Sequence, residues 1–221
     1  MVDFAQARRM MVEGQVRTSD VTDLALIDAM LAVPRERFVP ADQEKLAYLD
    51  LDLPVGQAPG QGSRRMLKPM VLAKLIQAAE LQPEDVVLDV ACATGYTAAV
   101  LARLAARVTA LEEDAALAAV AKRALSDLAP GNVAVVTGPL TAGWLAGAPY
   151  DVILLEGATE IVPRSLFSQL RDGGRLLCVE GRNPGKAMVY RSVAGDVTGR
   201  PIFDAAAPLL PGFVEPPAFV F

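Results

Sequence analysis

The chain contains no histidine in 221 residues. That removes the commonest general base at neutral pH and the commonest zinc ligand, so His-dependent hydrolases and His-ligated metalloenzymes are excluded. Cysteine is almost as scarce: Cys92 and Cys178 each lie inside an apolar run and read as small buried thiols, not as a disulfide or a metal site. An excess of positive charge is missing as well. With 21 basic against 26 acidic residues the net charge is −5, so no basic face can neutralise phosphates and no nucleic-acid partner is expected. No apolar run approaches the ~20 residues of a spanning helix, and no basic region precedes an apolar signal core. A cytoplasmic protein without membrane association is the expectation.

What is present is core-forming material. Hydrophobic residues make up 52% and charged residues 21% of the chain, which supports one large α/β domain over residues 1–221. Residues 3–33 read as helical, with Ser19 and Asp20 capping a second helix that Pro34 ends. Residues 38–66 carry several prolines and glycines and read as a long surface connection. Pro69 then opens a helix, so residues 1–69 form an N-terminal layer and 70–221 the core. From Asp85 onward short apolar runs alternate with helical stretches. Strands are expected at 86–88, 108–111, 133–136, 152–155 and 176–179, and helices at 97–106, 117–128 and 163–170. In the second of these helices Leu117, Val120, Ala121, Ala124 and Leu128 form one stripe. This alternation predicts a doubly wound, mostly parallel sheet. After Gly185 strand follows strand, at 188–193 and in a 213–221 tail, which predicts an antiparallel edge.

In such a sheet the ligand lies beyond the carboxyl ends of the strands, where the strand order reverses. The first strand runs into the turn Asp89-Val90-Ala91-Cys92-Ala93-Thr94-Gly95-Tyr96, and about 20 residues further on the second strand ends at Glu112. A carboxylate at Glu112 can accept both hydroxyls of a ribose. Asp89 would repel a pyrophosphate but suits a ligand with a cationic amino group or sulfonium, which favours S-adenosylmethionine over a dinucleotide.

The segment VLDVACATGYTAAVLARLA resembles the nucleotide loop of the protein-L-isoaspartate O-methyltransferases, which usually reads VLEIGTGSGYQAAVLA. Upstream, LIDAMLAVPRERFVP and AYLDLDLPVG are similar to that family's N-terminal segment. Downstream, YDVILLEGATEIVPRSLFSQLRDGGRLL is similar to its fourth strand, Pro-initiated helix and GGRL strand. The resemblance spans roughly residues 8–180. It implies a Rossmann-like, class I S-adenosylmethionine-dependent methyltransferase acting on the carboxylate of isoaspartyl residues in a protein or peptide acceptor, a repair reaction. It also implies that Asp89 and Ala91, Cys92, Ala93 and Gly95 face the methionine end of the cofactor. Glu112 would hold the ribose, Glu113 or Leu111 would flank the adenine, Pro139 and Leu140 would pass its edge, and Glu156 would sit at the mouth of the acceptor site.

Three positions depart from the family pattern. Ala91 and Ala93 stand where the family has glycines, which reach positive φ without strain. Gly138-Pro139-Leu140 replaces the family's GDG, so the acid beside the adenine is missing. Leu67, aligned on Pro69, replaces the serine of the family's GQTISQP segment at the acceptor site. Ser63 is a candidate replacement or a solvated loop serine, and Arg64, Arg65 and Lys68 could pair with an acceptor carboxylate or form a solvated basic loop. A protein that binds the cofactor or its demethylated product without turnover is the alternative these departures suggest.

Overall fold

The structure is a computed structural model that describes residues 2–58, 62–182 and 184–215. Its centre is a seven-stranded sheet in the order β5-β4-β3-β6-β7-β8-β9. The strands are β3 (Val86–Val90), β4 (Arg107–Glu112), β5 (Val133–Thr137), β6 (Tyr150–Thr159), β7 (Leu170–Glu180), β8 (Gly185–Val193) and β9 (Asp196–Ala205), and a separate hairpin pairs β1 (Leu53–Ala58) with β2 (Gly62–Met66). β3 to β7 run parallel, whereas β8 and β9 add on antiparallel. β3, β4 and β6 are buried on both faces, as in a sheet covered by helices on both sides. The chain winds outward from β3 to β5 and returns at β6, so the strand order reverses between β3 and β6.

The helices are α1 (Phe4–Met11), α2 (Leu24–Ala32), α3 (Pro69–Ala78), α4 (Tyr96–Leu101), α5 (Ala115–Leu128) and α6 (Arg164–Phe167). α2 is capped by Asp23, whose Oδ1 accepts from the Leu26 N–H at 3.1 Å. Asp20, expected as part of that cap, instead adopts a left-handed φ of 63° where α1 and its π and 3-10 extensions end. α4 is shorter than the 97–106 expected, because the chain must turn back within a few residues to enter β4. On α5 the stripe is shifted: Val120 is 44% exposed, and the face against the sheet is made by Leu117, Ala118, Ala121 and Leu125. The helix expected at 163–170 is the single turn of α6, and Leu170 already begins β7. The antiparallel edge is completed by β9, not by the tail. Phe213 is a buried anchor, and residues 216–221 lie outside the described residues.

The expected surface connection at 38–66 is a further correction. Its second half is the β1–β2 hairpin, and Leu53, Val55, Arg64 and Met66 are buried beneath it. The alternation that buries them is interrupted in sequence by Pro54 and Gly56, which is why it reads as a loop.

Two buried arginines fasten the layers. Arg35, fully buried, donates from Nε to the Ala47 carbonyl at 2.8 Å and from Nη2 to the Leu67 carbonyl at 2.7 Å, and its guanidinium lies 4.6 Å from the Tyr96 ring centre. Arg175 on β7 donates to Asp85 Oδ2 at 2.7 Å and to the Glu80 carbonyl at 2.8 Å, tying β7 to the segment that leads into β3. Among the described residues no helix is long and apolar enough to cross a membrane.

Candidate functional site

In an open sheet of this kind the ligand crevice lies beyond the carboxyl ends of the strands at the reversal of strand order, here beside β3, β4 and β6. The turn from Ala91 to Gly95 fills its floor. The Ala91 and Cys92 N–H groups donate to the Leu111 carbonyl at 2.9 and 3.1 Å, and Gly95 donates to the Cys92 carbonyl at 2.8 Å. This tight path needs positive φ at Ala91 (70°), Ala93 (48°) and Gly95 (94°). The alanines therefore take the backbone shape that glycines provide in the family loop, at a cost of about 1–2 kcal/mol each. At Gly95 a Cβ would add crowding to that strain, standing 2.9 Å from Leu125 Cδ1. Thr94 ties the floor to the N-terminal layer by donating to the Phe38 carbonyl at 2.6 Å.

Three carboxylates converge on this floor. Glu112, fully buried at the end of β4, accepts from the N–H groups of Ala93 (2.8 Å), Glu113 (3.0 Å) and Asp114 (3.2 Å) and from Arg64 Nη2 (2.8 Å). Asp89 on β3 is equally buried; no donor group among the described residues reaches either of its oxygens, and its carboxyl lies within hydrogen-bonding reach of the Glu156 carboxyl. Glu156 lies in a bulge of β6, where the pairing with β7 shifts register between Leu154 and Ala158. Bulges of this kind re-aim a side chain, and here the carboxylate is buried in the crevice, accepting from Thr97 Oγ1 at 2.6 Å while Oε1 stays without a partner. The bulge depends on Gly157, since a Cβ there would meet Leu210 at 2.6 Å and the Pro208 carbonyl at 2.7 Å.

Of the ten buried side-chain polar atoms without a partner among the described residues, four belong to Asp89, Glu156 and Arg64. Such atoms are costly unless something completes their bonding. The electrostatics agree. Burial, reinforced by Glu156 and Glu112, holds the Asp89 carboxyl well above the usual carboxylate range. Burial pushes Glu156 up to about 7 despite the Thr97 hydroxyl, which pulls the other way. Burial and the same carboxylates push the Cys92 thiol up, so it is no nucleophile. A cluster short of donors and of positive charge fits a ligand that brings both. The amino group, sulfonium and ribose hydroxyls of S-adenosylmethionine supply them.

Other expected residues are placed differently. Leu67 is fully buried, packed in the core with only its carbonyl used in bonding, to Arg35, so no hydroxyl stands at the aligned serine position. Ser63 lies in β2, but its side chain is outside the described residues. Glu113 is half-buried beside Glu112 with one oxygen unpartnered. Pro139 is exposed, and Leu140 is turned into the core that also holds Leu111 and Tyr150. Arg64 is not a solvated loop cation: it is 6% exposed and closes over the crevice, with Nη2 also donating to the Ala91 carbonyl at 3.1 Å. Arg65 is exposed and donates to the Asp52 carbonyl at 2.9 Å. Thr97 was not anticipated, since a hydroxyl in the first turn of a helix carries no pattern of its own. Among the described residues no group of His, Cys, Asp and Glu side chains is placed to hold a metal ion.

Comparison with known proteins gives a consistent result. The sequence model of the family described as protein-L-isoaspartate(D-aspartate) O-methyltransferase matches residues 6–199. A Koribacter versatilis protein-L-isoaspartate O-methyltransferase is 38% identical over 198 residues, covering 88% of this chain and 86% of its own. A protein of the same name from Methylorubrum populi is 40% identical over 189 residues, covering 86% and 85%. Two solved structures share the fold. One, also a protein-L-isoaspartate O-methyltransferase, gives a TM-score of 0.80 at 24% identity over 93% of this chain and 66% of that one. The other comes from Plasmodium falciparum under the name beta-aspartate methyltransferase, in complex with S-adenosyl-L-homocysteine. It gives a TM-score of 0.76 at 17% identity over 92% of this chain and 97% of that one.

Proposed function

Since the chain belongs to the protein-L-isoaspartate(D-aspartate) O-methyltransferase family, we propose that it transfers a methyl group from S-adenosylmethionine to the carboxylate of an isoaspartyl residue in a protein or peptide. The observation that carries this reading is the pair of buried carboxyls Asp89 and Glu156, three of whose four oxygens lack a donor among the described residues, beside Glu112 at the strand-order reversal.

When bound, S-adenosylmethionine supplies an electrophilic methyl on a positively charged sulfur. Glu112 would accept from its ribose hydroxyls, Asp89 and the Ala91 carbonyl would face its amino group, and the Ala91–Gly95 turn would lie along its methionine end. The acceptor is ionised at neutral pH, so this chain need not hold a general base, and a buried leucine at position 67 costs the reaction no proton transfer. What remains for the residues is alignment and exclusion of water, which together supply several kcal/mol of barrier lowering. The buried floor and the hairpin over it perform the second task. The relatives, named as enzymes, favour turnover over a binding-only role. The two free, buried cysteines suit action in a reducing cytoplasm.

The test is incubation of the full chain with methyl-labelled S-adenosylmethionine and an isoaspartyl peptide, beside the same peptide with ordinary aspartate. Base-labile label on the isoaspartyl peptide alone is expected. Binding of the cofactor with no label on either peptide would sink the reaction assignment.

A further inference from the structure

Glu112 and the Ala91 carbonyl, the two acceptors best placed for an incoming ligand, are already engaged by Arg64. One nitrogen, Nη2, bonds both, at 2.8 and 3.1 Å, while Nε has no partner at all. The guanidinium thus sits where the cation and hydroxyl donors of a cofactor would be drawn. It cannot share that place, because Asp89, the Ala91–Tyr96 turn and Glu112 are all buried and Arg64 itself is only 6% exposed where it bonds them. Its hold is also replaceable: with Arg64 withdrawn, Glu112 keeps three backbone donors, from Ala93, Glu113 and Asp114.

We infer that Arg64 is an internal occupant of the cofactor site, a specificity-determining residue whose guanidinium holds Glu112 and the Ala91 carbonyl until a ligand with hydroxyl and cationic donors takes over both. This rests on the cofactor reading above. The exchange is selective, because a ligand offering only one kind of donor leaves Glu112 or the Ala91 carbonyl poorer than Arg64 left it. It also has a charge signature. S-adenosylmethionine carries one more positive charge than S-adenosylhomocysteine, so a guanidinium that stayed in the site would repel the first more than the second. A guanidinium that leaves discriminates against neither.

Calorimetric titration of both ligands into the wild type, Arg64→Met and Arg64→Lys, with thermal melts alongside, tests this. In Arg64→Met both ligands tighten by about tenfold, the worth of one charge-assisted hydrogen bond, and by the same factor. Arg64→Lys falls between. Weaker or unchanged binding of both ligands in Arg64→Met would overturn the inference, as would tightening confined to S-adenosylmethionine, which would mean that Arg64 stays. Should the melts show Arg64→Met unfolded, the sign and equality of the shifts in Arg64→Lys decide. Absence of binding by the wild type and both folded variants would remove the cofactor reading itself, and the inference with it.

Discussion

Glu112 ends β4 and Asp89 lies one residue before the end of the neighbouring parallel β3, yet the two sides of the crevice they line are built in opposite ways. On the β4 side Glu112 collects four donors and helps hold the turn together. On the β3–β6 side Asp89 has none and Glu156 has one. Without a ligand, one side is closed by the protein's own donors, Arg64 among them; the other is left for what enters it. A buried carboxylate can therefore be a structural element or a ligand-seeking one, and its inventory of donors, not its burial, tells which.

The strongest way to break this comparison is Glu112→Ala. It unties the turn and leaves a buried guanidinium without its partner, at about 3–5 kcal/mol, read as a drop in Tm of roughly 10 °C. An unchanged melt would show that the β4 side is not structural. Asp89→Asn should do the reverse. It removes a carboxyl whose burial already disfavours its charge, so Tm stays within about 3 °C of wild type, while affinity for S-adenosylmethionine falls about 100-fold in a calorimetric titration.

The third measurement is the pH dependence of the ligand-free chain. The carboxyls of Asp89 and Glu156 are held above their ordinary values in the folded state. The stability they contribute is therefore fully present below the ordinary carboxylate range and is lost as pH rises through the folded value, about 7 for Glu156. The groups facing the pair, Glu112, Arg64, Arg35, Thr97 and the Cys92 thiol, do not reverse this sign. Melts from roughly pH 5 to pH 8 should show a decline that is shallower in Glu156→Gln, and equal slopes would contradict it. A cationic ligand favours the ionised pair, so its binding should release protons, measurable by titrating in two buffers of different ionisation enthalpy. The smallest effect belongs to the turn that joins the two sides. Ala91→Gly and Ala93→Gly relieve positive φ, offset by the greater freedom of glycine in the unfolded chain, and should each raise stability by up to ~1 kcal/mol in denaturant unfolding.

Much of this was readable from the residues because it depends on short-range pattern. The β3 and β4 strands, the acid at each strand end and the turn between them follow from apolar runs and from spacing within one βαβ unit. Glycine at position 95 follows from the turn it must make. The hairpin was not readable, because Pro54 and Gly56 mask an alternation that is real at Leu53, Val55, Arg64 and Met66. Nor was the role of Arg64, whose partner Glu112 lies 48 residues away in sequence. Glu156 could be placed at a strand end, but the bulge that aims it depends on how the 208–210 segment packs against β6. α4 and α6 were overestimated for one reason: alanine- and leucine-rich stretches carry helical propensity that short crossovers have no room to use.

Arg175 has a consequence for how the molecule comes to exist. Asp85, its partner, leads into the central strand, but the guanidinium arrives 90 residues later in the chain. At ribosomal speed that separation is a wait of roughly 5–20 s. Through that interval the nascent β3–α4–β4–α5–β5 half carries Asp85 without its arginine, and for most of it a β3 edge that stays bare until β6 pairs with it. The sheet half that builds most of the crevice is thus made before the strands that secure it, and a chaperone that shields a bare strand edge would find its substrate there.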